Sequence, residues 1–150
     1  MPRPPKEADA GFPRRLSETG LFASVPRHEV VPGVIPYDVN APQWGDGSHA
    51  VRFFVLPETM RERTPQRGWF TVPARIGLST YQGWALPDGT AVVQSLALES
   101  QPGDPASRRW VETRILLFEQ GDWAGYSYRW RDDQQDADLV AAEGLDVDLP

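Results

Sequence analysis

Cysteine is absent from all 150 residues, which excludes disulfides, zinc–thiolate and iron–sulfur sites, a cysteine nucleophile and covalent c-type haem attachment within this chain. Histidine occurs twice, as His28 in VPRHEVV and His49 in GDGSHAVR. A mononuclear copper or zinc site needs two or three imidazoles and a carboxylate, so these two, with Glu29 and Asp46 nearby, are weak metal candidates. Ser48 and Ser79 lie in no G-x-S-x-G turn of the kind that presents a nucleophile. No run of about 18 apolar residues is present to insert in a membrane, and the first twenty residues lack the apolar centre of a signal peptide. Lysine is nearly missing as well, with a single Lys6 beside fourteen arginines. No catalytic residue and no cofactor is implied for the chain.

What is abundant points to strands. Fifteen prolines and thirteen glycines accompany 40% hydrophobic and 11% aromatic residues, a mixture suited to short strands joined by many turns. The net charge of −6 is unevenly placed. Asp132, Asp133, Asp136, Asp138, Glu143, Asp146 and Asp148 all follow the last basic residue, Arg131. The remainder carries fifteen cationic against fourteen anionic groups, a net of +1. A near-neutral body with an acidic end disfavours nucleic acid as partner, since phosphate binding rests on clustered Lys and Arg. The acidic end itself reads as a solvated tail, with no calcium-loop spacing.

Residues 1–15 are Pro-rich and without periodicity, and are expected to be a flexible arm, with order beginning near Leu16. LSETGLFAS (16–24) fits one helical turn capped by Ser17 and ended at Gly20. The stretch 32–47 is interrupted by Pro or Gly every few residues and should wrap over a sheet rather than join its centre. From His49 onward, strands are expected over 49–57, 68–74, 74–80, 89–100, 108–120 and 125–133, with turns at Pro87-Asp88-Gly89, Pro102-Gly103-Asp104-Pro105 and Gln120-Gly121-Asp122. DADLVAAEG, after Arg131, allows one short helix. Six or more strands on hairpin-sized links predict an all-β antiparallel β-sandwich, jelly-roll-like or Ig-like. It would occupy residues 16–140, with 141–150 as an acidic tail or linker.

Period two assigns faces. In GYSYRWRDD, Tyr126, Tyr128 and Trp130 share one face, expected in the core, while Ser127, Arg129 and Arg131 share the other. In RRWVETRIL, Trp110, Glu112 and Arg114 are expected together, with Glu112 paired to Arg114 or to an arginine of a neighbouring strand. Trp44, Trp69, Trp84 and Trp123 each stand near glycine or aspartate at turns or strand ends. With Arg129, they are the candidate ligand-binding residues, because contact residues favour such positions.

Four segments, LSETGLF (16–22), PGVIPYDVNAPQWGDGSHAVRFFVLP (32–57), WALPDGTAVVQSLALE (84–99) and WVETRILLFEQGDWAGYSYRWRDDQQDADLV (110–140), carry long irregular strings such as Y-x-V-N-x-P-x-W-x-D-G and G-Y-x-Y-x-W-x-D. In this order they resemble the β-rich domain that precedes the haem-binding part of a family of secreted bacterial diheme c-type cytochromes, often found with sugar-dehydrogenase-like modules. The resemblance implies a periplasmic or secreted location. It also implies a non-catalytic accessory module that docks onto a haem-domain or dehydrogenase partner of an electron-transfer assembly. The CxxCH haem motifs of that family are not in this chain, so haem and electron transfer would belong to the partner. A carbohydrate-binding module that presents its tryptophans to a polysaccharide is the alternative. A small β-barrel metalloenzyme using His28 and His49 is a second one.

Overall fold

The computed structural model describes residues 11–41, 45, 47–79 and 83–146. Strands hold about half of these. β3 (Ile35–Tyr37), β4 (His49–Val55), β9 (Thr90–Glu99), β10 (Arg108–Glu119), β11 (Asp122–Trp130) and β12 (Ala137–Leu139) form one antiparallel sheet in the order β12-β11-β10-β9-β4-β3. Three smaller antiparallel pairs complete the fold: β1 (Phe22–Ser24) with β2 (Glu29–Val30), β5 (Thr59–Thr64) with β6 (Gly68–Pro73), and β7 (Gly77–Ser79) with β8 (Gly83–Ala85). The fold is all-β and sandwich-like. The large sheet stays open, ending at β12 and β3, and is not a barrel.

The cross-strand register explains which residues meet. Phe53, Val93 and Ile115 lie side by side on β4, β9 and β10, and Tyr126 faces Ile115 from β11. This row, together with Ala91, Tyr128, Trp130 and Ala137, is buried beneath Leu16, Phe22 and Val25, so the N-terminal segment and the β1–β2 hairpin form the second layer. Each such large apolar side chain removed from water contributes about 1.5–3 kcal/mol. The edges of the sheet are guarded. β3 is three residues long with Pro36 at its middle, and β12 is equally short, which leaves little template for edge-to-edge pairing.

Several expectations are corrected by tertiary contacts. Residues 12–15, assigned to the arm by sequence, lie against the sheet. Phe12 stacks on Tyr126 at 3.6 Å, the Tyr128 hydroxyl donates to the Pro13 carbonyl at 2.8 Å, and the Leu139 amide donates to the Arg14 carbonyl at 2.9 Å. The turn Leu16–Thr19 forms as a 3-10 turn ended by left-handed Gly20, but Ser17 does not cap it. Its hydroxyl and amide both donate to Asp136, at 2.7 and 3.1 Å. Asp136 is therefore buried and structural rather than part of a solvated tail. Asp138 is tied as well, to Arg131 at 2.7 and 2.5 Å, and these hydrogen bonds hold its carboxyl below the usual range. Residues 137–139 add a strand to the sheet where a helix was expected, because Ala137 and Leu139 fit the covered face opposite Trp130 and Tyr128.

A bulge in β10 between Trp110 and Glu112 shifts the expected alternation. It turns Trp110 to the covered face, away from Glu112 and Arg114, which pair with each other at 2.6 Å on the open face. Past the end of β11, the Gln134 side chain continues the ladder. Its Oε1 accepts from the Trp110 amide at 2.8 Å, and its Nε2 donates to the Trp110 carbonyl at 3.0 Å. Inside, the Trp130 indole donates to the Thr113 hydroxyl at 2.9 Å, which shares a 2.8 Å hydrogen bond with Ser95.

Thr113→Val keeps the shape but leaves a buried indole N–H and a serine hydroxyl without their partner, and is expected to cost about 1–3 kcal/mol in urea unfolding. Tyr128→Ala, which opens a cavity and frees Pro13, is expected to cost about 3–5 kcal/mol.

Candidate functional site

β4 and β9 are neighbours in the sheet, yet the chain leaves β4 after Val55 and returns at Thr90 only after a long excursion. The excursion holds the two hairpins β5–β6 and β7–β8, and it presents the largest exposed apolar side chains. Trp84 is 69% exposed, Leu78 84% and Trp69 60%, with Ile76 also open. The local sequence dictates this geometry. Gly68 and Gly83 take positive φ at the starts of the two return strands. The Thr64 hydroxyl accepts the Arg67 amide at 3.2 Å within the first turn. Leu78 and Trp84 face each other across the second hairpin. In the first, Trp69 stands opposite Arg63, and the Arg61 guanidinium lies 5.2 Å from the Trp69 ring centre, in cation–π range. Arg75 forms an ion pair with Glu62 on the other face of that hairpin.

The remaining candidates separate. Trp123 is half-buried against Phe118, with ring centres 5.2 Å apart, at the sheet end from which the excursion leaves. Arg129 is exposed on the open face toward the other end, between Glu112 and Asp138. It borders a groove of about 530 Å³ together with Arg131, Leu139, Val140 and Leu145. Trp44 lies outside the described residues. The structure thus brings out Trp69 and Trp84 as surface groups on one excursion, and does not join Arg129 to them.

The two histidines part as well. His49 begins β4 and is exposed. His28 sits at positive φ in the turn between β1 and β2, and its ring stacks on Trp110 at 3.9 Å, with Phe22, Phe53 and Trp130 within 6.0 Å. Its Nε2 is buried without a hydrogen-bond partner, and burial lowers its pKa to about 4. No group of three His, Asp or Glu side chains converges among the described residues. Sequence reasoning had no signal for the His28 cage, because its four rings come from four separate strands and one of them is turned inward by a bulge.

No protein-family model, curated protein or solved structure matches the chain.

Since His28 titrates near 6.5 when unfolded and near 4 when folded, the unfolded chain binds the extra proton between these values. Stability from this group is complete above about pH 6.5 and falls as the pH drops toward 4, by about 1–2 kcal/mol after allowance for its partial exposure. In His28→Asn, which tolerates the positive φ, that part of the pH dependence of urea unfolding should vanish and leave a pH-independent offset.

Proposed function

We propose that the chain is a non-catalytic docking module whose contact surface is the 56–89 excursion. The observation that carries this reading is the exposure of Trp84, Leu78 and Trp69 on two hairpins, while the tryptophans of the main sheet, Trp110, Trp123 and Trp130, are half-buried or buried. Cross-strand Leu78 and Trp84 expose a joint apolar surface that a partner can cover. Their aliphatic neighbour Ile76 suits a protein surface better than a sugar ring, and Trp and Arg are among the residue types enriched where binding energy concentrates in protein contacts. The resemblance of the sequence to the domain ahead of a diheme c-type cytochrome names the class of partner: a haem-domain or dehydrogenase polypeptide, in the periplasm or outside the cell.

A second reading, carbohydrate recognition, has one specific observation in its favour. Trp69 carries Arg61 against its ring and shares its hairpin face with Thr59 and Thr71, so a ring that can stack stands beside hydrogen-bonding groups.

Binding by calorimetry to a c-type cytochrome or dehydrogenase from the same source tests the first reading. Trp84→Ala and Leu78→Ser are each expected to weaken the complex by about 2 kcal/mol, roughly thirty-fold, while urea unfolding shifts by less than about 0.5 kcal/mol. Saturable tryptophan quenching by one class of oligosaccharide, lost in Trp69→Ala, together with no binding to the redox partner, would replace it with the second.

A further inference from the structure

The face of the large sheet turned away from the N-terminal cover has an order of its own. Residues opposite each other on neighbouring strands share a face, and the register sorts this one into rows that run across the strands. One row is apolar: Ile35, Phe54, Val92 and Leu116, ending at Gly125. The next, about 6.7 Å along the strands, holds Tyr37, Arg52, Gln94, Arg114 and Ser127, one hydrogen-bonding side chain on each of five strands. No member of either row belongs to the core beneath Leu16 and Phe22. Ile35, Tyr37, Arg114 and Leu116 are exposed. On the far side of the apolar row, the paired rings of Phe118 and Trp123 end the face.

The second row holds its polar groups ready for a ligand. The Arg52 side chain is only 13% exposed, yet among the described residues its one polar contact is a 3.4 Å ion pair with Asp38, whose own side chain is 89% exposed. Its other donors reach the surface, since the Nε2 of His28 is the one buried side-chain nitrogen or oxygen without a partner among the described residues. A guanidinium thus lies in the sheet surface with most of its five N–H groups unused, held by an exposed carboxylate whose contact is weak enough to be exchanged. Arg114 is held by Glu112 at 2.6 Å and keeps half of its side chain open. The side-chain groups of Tyr37, Gln94 and Ser127 have no hydrogen-bond partner among the described residues.

This arrangement restricts the ligand. Five hydrogen-bonding groups on a line of about 19 Å, four strand intervals, suit a linear polymer better than a single small anion. Cationic and neutral groups alternate along that line, which calls for carboxylates interspersed with hydroxyls. The adjoining apolar row calls for C–H surface beside them. An extended peptide would take its main-chain hydrogen bonds from a sheet edge, and this is a face. A chain of uronic acids meets all three demands. Its planar carboxylates match guanidinium forks, its hydroxyls match Tyr37, Gln94 and Ser127, and the apolar faces of its rings match Phe54 and Leu116. We propose that the open face of the large sheet binds a linear polyuronate laid across the strands, with carboxylates on Arg52 and Arg114. The site uses no residue of the 56–89 excursion and goes beyond the docking reading without depending on it.

Calorimetric titration of the full chain with polygalacturonate tests this. The wild type is expected to bind saturably, and the fully methyl-esterified polymer, which keeps the backbone but not the charge, at least about ten-fold more weakly. Arg52→Gln and Arg114→Gln are each expected to weaken binding at least about ten-fold, as is Leu116→Glu, which sets a carboxylate in the exposed apolar row. Near-UV circular dichroism equal to wild type separates a lost contact from a lost fold, and Arg114→Gln and Leu116→Glu change exposed positions that the core does not use. Trp69→Ala and Trp84→Ala are expected to bind the polymer as the wild type does, so that failure of the docking surface and failure of this site are told apart. Absence of saturable binding, equal binding of poly-glutamate, indifference to all three sheet variants, or loss in Trp69→Ala instead would overturn the proposal.

Discussion

A sheet face built from Tyr126, Tyr128, Trp130 and Trp110 cannot be left to water, and the fold is organised around covering it. The cover is a segment with almost no regular structure of its own, residues 11–34, held by a few directional contacts rather than by a second large sheet. Phe12 lies flat on Tyr126, Leu16 enters the core, and His28 is laid on Trp110. Polar ties set the position of this apolar lid: Tyr128 to Pro13, the Leu139 amide to Arg14, and Ser17 to Asp136. Because β12 supplies or flanks two of these ties, the short C-terminal strand and the N-terminal cover stabilise each other across nearly the whole length of the chain.

His28 shows what such covering costs. An imidazole with a buried, unpartnered Nε2 is tolerated in the neutral state because its ring contributes stacking area. In the charged state the cage offers π faces but no carboxylate, and burial therefore dominates the pKa. In the fold the residue serves as an aromatic filler with a proton-dependent cost. The 56–89 excursion interrupts the pairing of β4 with β9 without disturbing their register, and so the sheet acts as a rigid base for hairpins free to carry apolar groups.

Much of the architecture was legible from residue patterns. The long strands β4, β9, β10 and β11 follow from alternation between clear turn signals, and the core role of Tyr126, Tyr128 and Trp130 from period two. The exposure of Trp69 and Trp84 was readable from their place beside glycines. β5 was missed because TMRERT is too polar to look like a strand; its alternation is real, but one face is charged and only the other is half-buried. The separation of Trp110 from the face of Glu112 and Arg114 was missed because a bulge adds one residue to the count, and nothing local in RRWVETRIL announces it.

The sequence by itself determined the all-β class, the main turns between the long strands, and the division of side chains between core and solvent along β11 and along β10 beyond its bulge, since these depend on spacing and on conformational limits of single residues. Only the tertiary structure decided that residues 12–15 belong to the core layer, that Asp136 is buried beneath Ser17, that residues 137–139 form a strand, and that His28 is enclosed by four rings. Each of these rests on contacts between positions far apart in the chain. Such contacts are governed by which surfaces meet when the sheet closes against its cover, a choice no local pattern encodes.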